Sequence, residues 1–166
     1  VNAARVSFDK TSSRLDDNDE KLIQYLAKHG HWSPFAHCFL QFRIKAPIFV
    51  ARQLVKHQVG LSWNEVSRRY VDNDPEFYNP LTWRGKHKNN KQGSAGEIED
   101  QNTAKMILEQ TNLLAFKNYK ALLAKGVAPE MARMILPQTL MTEWMWSGSL
   151  HAFARVCKQR LDEHTQ

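Results

Sequence analysis

At 166 residues, 42% hydrophobic and 24% charged, the chain has the composition of a single globular domain with its own core spanning residues 1–166, and a disordered or fibrous protein is excluded. A net charge of +6 and a pI near 9.4 favour anionic partners, nucleotides and polyanionic cofactors as much as nucleic acid. No apolar run approaches the roughly 20 residues that a bilayer span needs, no signal peptide is visible, and two cysteines, Cys38 and Cys157, give neither a disulfide scaffold nor metal-ligand spacing, so a reducing, cytoplasmic setting and no metal are expected.

Residues 16–29 read as a helix. Asp16, Asp17 and Asp19 sit at its positive end, Leu22, Ile23 and Leu26 form one stripe, and Gly30 stops it. Residues 37–46 alternate as a half-buried strand, with Cys38, Leu40, Phe42 and Ile44 facing the core and Gln41, Arg43 and Lys45 facing away. Pro47 suits the first position of a helix running to about His57. That helix gathers Arg52, Gln53, Lys56 and His57 into an arc of roughly 140°, opposite Val50, Ala51, Leu54 and Val55. A connection containing Gly60 follows over 58–66, and 66–71 reads as extended, with Pro75 and Pro80 barring a helix beyond it. The run RGKHKNNKQGSAG at 84–96 has the composition of a mobile, solvated basic loop. A long helix is expected from about Glu97 to Lys125, stopped by Gly126, and a short one from Pro129 that Pro137 ends. Residues 139–146 read as a strand in which Trp144 and Trp146 pack. Ser149 then caps a last helix with Leu150, Phe153, Ala154, Cys157 and Leu161 on one face. The order of elements implies an α+β fold.

The stretch APIFVARQLVKHQVGLSWNEVSRRY at 46–70 holds Arg52, Gln53, Lys56, His57, Asn64, Glu65, Ser67, Arg68 and Arg69 among apolar residues. Cations suit phosphate, amides and a carboxylate suit ring edges, and hydroxyls fix register, so a flat phosphorylated ligand is the natural occupant. Elsewhere the residues admit plainer readings. His29 and His31 flank a helix end where imidazoles commonly cap carbonyls, and His87 and His164 sit in polar segments and read as solvated. His151 reads either way. Trp63 suits a ligand pocket or packing equally. No GxGxxG fingerprint or Walker loop is present.

Six segments in order, ARVSF at 4–8, HGHWSPFAH at 29–37, APIFVARQ at 46–53, NEVSRRY at 64–70, EMARMILP at 130–137 and the arginine-bearing last helix, resemble the flavin-dependent thymidylate synthases. Residues 71–129 contribute little that is diagnostic. Two departures stand out. The family's Arg-His-Arg triplet is Lys56-His57-Gln58 here, and the connection to Asn64 is one residue longer than the usual form. Lysine is a point charge where arginine is a planar fork, and Gln58 brings no charge.

The resemblance implies a twisted antiparallel sheet flanked by helices, assembled as a homotetramer with shared active sites. The implied reaction methylates dUMP to dTMP, with 5,10-methylenetetrahydrofolate, FAD and NADPH. It assigns dUMP contacts to Gln53, Lys56, Glu65, Val66, Ser67, Arg68, Arg69, Arg133 and Arg160, with Arg160 as the catalytic group that activates the pyrimidine. It assigns FAD contacts to Ser33, Lys56, His57, Gln58, Glu65, Ser149 and Arg155, and further active-site positions to His31, Arg52 and Asn64. Ser67 as a nucleophile would need a base such as His57, whereas the family pattern makes it a nucleotide contact. Cys38 and Cys157, expected on core faces without a cationic neighbour, argue against a thiol adding to the ring. Two other readings stay open: an inactive relative that binds nucleotide or flavin, motivated by Lys56-His57-Gln58, and a basic nucleic-acid-binding module using Trp63, Tyr70 and the arginines.

Overall fold

The computed structural model describes residues 1–71, 73–88 and 93–161; His164 lies outside them. Its centre is strand β5 (Met141–Ser149), flanked by β1 (Phe39–Pro47) and β2 (Leu61–Glu65) in the order β1-β5-β2, both antiparallel to β5. Thr142, Trp144, Trp146 and Gly148 alternate onto the buried face of β5, the period of two that a pleated strand imposes. That face receives α4 (Ile48–Leu54) and α7 (Leu150–Arg160), closing a core of Ala51, Trp144, Trp146, Phe153 and Val156. Trp63 stacks on Trp144 at 4.3 Å between ring centroids and meets Trp146 edge-on at 5.7 Å. Aromatic pairs of this kind are worth about 0.5–1.5 kcal/mol beyond their buried area. The fold is therefore α+β around an antiparallel sheet.

The amino-terminal part wraps this core with α1 (Asn2–Arg5), α2 (Asp17–Lys28) and α3 (Ser33–Ala36). Asp16 caps α2 by accepting from the Asp19 amide at 2.8 Å, and buried Asp19 in turn accepts from Ser12 Oγ and pairs with Arg5. The long helix α5 (Gln101–Ala124) begins where Asp100 accepts from the Thr103 amide, four residues later than expected. Its Asn112 accepts from Thr139 Oγ1 at 2.7 Å and so ties the helix to the lead-in of β5. Helix α6 (Pro129–Ala132) follows, and a 3-10 turn, Arg133–Ile135, leads to Pro137. No described helix is long and apolar enough to cross a membrane.

Six expectations need correction. The span 58–66 is not a simple connection, because residues 61–65 form strand β2 against β5. Helix α4 ends at Leu54, so Lys56, His57 and Gln58 lie on the turn after it, where the His57 amide bonds the Leu54 carbonyl. Residues 66–71 are not extended: the Tyr70 and Val71 amides both bond the Ser67 carbonyl, which closes a turn. The basic run forms part of a hairpin between β3 (Arg84–Lys86) and β4 (Ser94–Glu97), held by Arg84 to the Ala95 and Ser94 carbonyls; residues 89–92 lie outside the described part. Strand β1 is an edge, so Ile44 and Ala46 reach the core while Cys38 is exposed and Phe39, Leu40 and Phe42 keep much of their surface. On α7 the buried stripe is Ala152, Phe153 and Val156, which leaves Cys157 and Leu161 exposed; Leu150 and Ala154 turn instead toward α3.

Candidate functional site

Two clefts, one at each end of β2, are lined by eight of the expected residues. The first, of about 310 Å³, is lined by Lys45, Glu65, Val66, Arg68, Arg133 and Thr142 among others. Glu65 ends β2, and its carboxylate is held from both sides. Oε1 accepts from Thr142 Oγ1 at 2.6 Å and Oε2 from the Trp63 indole N–H at 3.2 Å. The Val66 amide donates to the Glu143 carbonyl at 2.9 Å, which continues the ladder one residue beyond the strand. The chain then turns at Ser67, whose Oγ accepts from the Arg69 amide at 3.3 Å. Arg68 reaches the Asn73 carbonyl at 2.8 Å, and Arg69 pairs with Glu130 at 3.2 Å. Arg133 Nε donates to the Glu130 carbonyl, so Glu130 brings Arg69 and Arg133 to one end of α6. The cleft therefore mixes cations with acids: Lys45, Arg68 and Arg133 share it with Glu65, Asp74, Glu76 and Glu143. Lys45 is paired with Glu76, which leaves Arg68 and Arg133 beside the clamped Glu65 as its donors and acceptor for a phosphorylated, hydroxyl-bearing ligand.

The second cleft, of about 220 Å³, lies between the α4–β2 turn and α7. Lys56, His57, Gln58 and Arg155 rim a floor of Leu61, Ala152 and Val156. Arg160 Nε donates to His57 Nε2 at 2.8 Å, and its guanidinium also reaches the Gln53 carbonyl at 3.5 Å. An imidazole that accepts at Nε2 carries its proton on Nδ1 and is neutral. Its pKa is pushed below the ordinary histidine value by burial, and then by the positive charges of Arg160 and Arg155. Lys56 Nζ donates to Gln53 Oε1 at 3.2 Å. Ser149 caps α7 by accepting from the Ala152 amide at 3.2 Å, which leaves its hydroxyl proton free to donate. The turn fits because two glycines remove side chains. Gly60 has φ +74°, and a Cβ on Gly148 would stand 2.4 Å from the Gly60 carbonyl oxygen.

Other candidates lie apart. His31, Trp32 and His151 line an apolar cleft of about 320 Å³ between α3 and α7, with the Trp32 and His151 rings 5.6 Å apart. Ser33 is exposed at the first turn of α3, and Arg52 is exposed on α4. Asn64 shares a shallow hollow with Glu65 and Glu143. Neither cysteine lines any of these clefts. Sequence reasoning missed Glu130 and Thr142. Glu130 stands one helical turn before Arg133, a spacing that could have flagged it; Thr142 lies 77 residues from Glu65 and gave no local signal.

The profile of the family described as thymidylate synthase complementing protein matches residues 1–166. A protein named flavin-dependent thymidylate synthase from Thermus thermophilus is 44% identical over 166 residues, all of this chain and 60% of its own length. One of the same name from Kosmotoga olearia is 42% identical over 168 residues, covering all of this chain and 72% of its own length. The chain thus spans less than two thirds of the Thermus relative. Among solved structures, the UMP/dUMP methylase PolB from Streptomyces cacaoi bound with 5-Br dUMP aligns with a TM-score of 0.82 at 31% identity, covering 95% of this chain and 70% of that one. Matched along its full length, the chain belongs to the thymidylate synthase complementing protein family, the flavin-dependent thymidylate synthases.

Proposed function

We propose that this chain forms the nucleotide- and flavin-handling part of an FAD-dependent thymidylate synthase. It methylates dUMP to dTMP, with 5,10-methylenetetrahydrofolate as carbon donor and NADPH as reductant, in a cytoplasmic homotetramer with shared sites. The relatives' names and the nucleotide analogue bound to the Streptomyces neighbour support the reaction class. The observation that carries the reading is the clamped Arg160, a cation held by the Gln53 carbonyl and by His57, which itself lines the second, basic cleft.

The second cleft fits part of a flavin dinucleotide. Lys56 and Arg155 offer charge for a pyrophosphate, Gln58 offers hydrogen bonds, and Leu61 and Val156 offer an apolar floor, with the Ser149 hydroxyl at the start of α7 as a further donor outside the lining. Its 220 Å³ falls below the roughly 300–1,000 Å³ of ligand pockets, so one chain embraces only a portion of so large a molecule. When bound, the flavin supplies the redox chemistry.

The protein's own residues bind and polarise. Arg160 stabilises the uracil as its N3-deprotonated anion by Coulomb attraction and hydrogen bonding, which enriches C5 in electrons without a thiol adding to C6. Arg69 and Arg133 meet the phosphate, Ser67 and the Val66 and Arg68 backbone fix its register, and Glu65 accepts from the nucleotide. Gln53 and Lys56 reach the nucleotide from the second cleft, and His57 and Glu65 also face the flavin. His31, Ser33, Arg52 and Asn64 act where a second copy closes the site. The test is an absorbance spectrum of the purified protein with added FAD, followed by NADPH oxidation with and without dUMP and direct detection of dTMP. Flavin bands with dUMP-dependent dTMP formation are expected. A colourless protein that takes up no FAD removes the reading, and flavin uptake without dTMP identifies an inactive relative in which Lys56-His57-Gln58 no longer serves the reaction.

A further inference from the structure

We propose that Thr142 and Trp63 are positioning residues that set the orientation of Glu65 for the bound nucleotide, an inference that rests on the reading of Glu65 above. A carboxylate has four acceptor sites. Thr142 Oγ1 takes one on Oε1 at 2.6 Å, and the Trp63 indole takes one on Oε2 at 3.2 Å. Two donors on different oxygens fix both the plane and the tilt of the group. One site on each oxygen stays open toward the cleft that Glu65 shares with Arg68 and Arg133. An unclamped glutamate at the end of a strand would sample several rotamers, and ordering it would be charged to ligand binding.

Both donors are themselves fixed by the core. Thr142 is 6% exposed on the buried face of β5, so its hydroxyl has little freedom to turn elsewhere. Trp63 lies on Trp144 with 18° between the ring planes and is braced by Trp146 at its edge. The orientation of Glu65 is therefore transmitted from the tryptophan core through two hydrogen bonds. Aromatic packing in this molecule serves the site as well as stability.

The test uses the flavin-loaded protein with Thr142→Val, which keeps the shape and deletes the hydroxyl, and Thr142→Ser, which keeps the donor. The KM for dUMP is separated from kcat, and the environment of Trp63 is followed by ¹⁹F NMR of 5-fluorotryptophan-labelled protein, its resonance assigned with Trp63→Phe. Loss of one hydrogen bond to a charged group should raise KM about tenfold. Thr142→Ser should restore it, and the Trp63 resonance should move in Thr142→Val alone. Adding Thr142→Val to Glu65→Gln should cost less than it does in the wild type, because the two residues act as a pair. Wild-type KM with an unmoved resonance overturns the proposal, as does equal impairment by Val and Ser. Should Thr142→Val not fold, Trp63→Phe removes the other donor and must give the same rise in KM. Should the wild-type protein bind no dUMP, the functional reading falls; the resonance then decides the clamp alone, a shift in Thr142→Val supporting it and no shift overturning it.

Discussion

Gly148 is the position where a single methyl group should disturb both stability and the cleft between the α4–β2 turn and α7. It pairs with Leu61 across the β2–β5 ladder. A Cβ there would lie 2.4 Å from the Gly60 carbonyl oxygen, 2.6 Å from Leu61 Cδ2 and 3.3 Å from Leu61 Cα. The leucine methyl can rotate away, but the carbonyl can retreat only if the backbone moves. A carbon–oxygen contact relaxes near 3.3–3.6 Å, so Gly60 must withdraw by about 1 Å. Gly60 lies in the turn between α4 and β2, so its withdrawal must carry that turn with it. Overpacking of this kind costs about 1–3 kcal/mol. At roughly 2–4 °C per kcal/mol for a chain of this size, Gly148→Ala should lower Tm by about 2–12 °C. The displaced turn carries Lys56, His57 and Gln58, so FAD affinity should fall as well. Calorimetry and flavin absorbance on Gly148→Ala, beside Gly96→Ala, where no atom lies within 4 Å of the added carbon, provide the comparison. Unchanged Tm and flavin uptake in Gly148→Ala would refute the reasoning.

Arg160→Ala should lower dTMP formation severely while flavin stays bound, measured by product chromatography beside the absorbance spectrum; near-normal turnover defeats the activating role. His57 has a depressed pKa, so the unfolded chain takes up its proton first as pH drops below the ordinary value of 6.5. Stability should therefore decline from there down to the lowered folded value. The loss in Tm on going from about pH 7 to about pH 5 should be larger in the wild type than in His57→Gln. Cys38→Ala combined with Cys157→Ala should leave turnover largely intact, since both thiols are exposed and outside the clefts; retained dUMP and FAD binding with abolished chemistry would contradict this.

Much of the core was legible because local chemistry and tertiary structure agree there. The alternation of Trp144 and Trp146 announced β5, Ser149 announced the start of α7, and Asp16 announced α2. Illegible parts depend on pairing partners that the local pattern does not announce. Arg84 and Lys86 have no strand pattern of their own, and pairing with Glu97 and Ser94 makes the hairpin. The alternation of β1 is real and Phe42 does meet core Phe153 edge-on at 5.0 Å, yet nothing local tells an edge strand from a central one, and Cys38 on the same alternation is exposed. The site divides in the same way. Glu65, Ser67 and Arg69 lie in one contiguous motif and were found together. Their supports, Thr142 and Glu130, come from the other end of the chain and become visible only when β5 and α6 dock beside it.

The two clefts share no lining residue, and they sit at opposite ends of β2, whose five residues span roughly 13 Å. A nucleotide whose phosphate met Arg69 and Arg133 would extend from one end of the strand, while Arg160 of the same chain waits at the other. On the proposed reading, the phosphate cleft of one copy must therefore face the Arg160 cleft of another. Complementation tests this directly. Arg69→Ala and Arg160→Ala, each inactive alone, are unfolded together and co-refolded, or co-expressed. If every site draws Arg69 and Arg160 from different copies, random assembly of equal amounts restores about a quarter of the wild-type sites. If both arginines of a site come from one chain, no mixture regenerates an intact site and dTMP formation stays at the level of the separate variants. That outcome would require the ligand to bridge both ends of β2 within one subunit, which the separation of the clefts opposes.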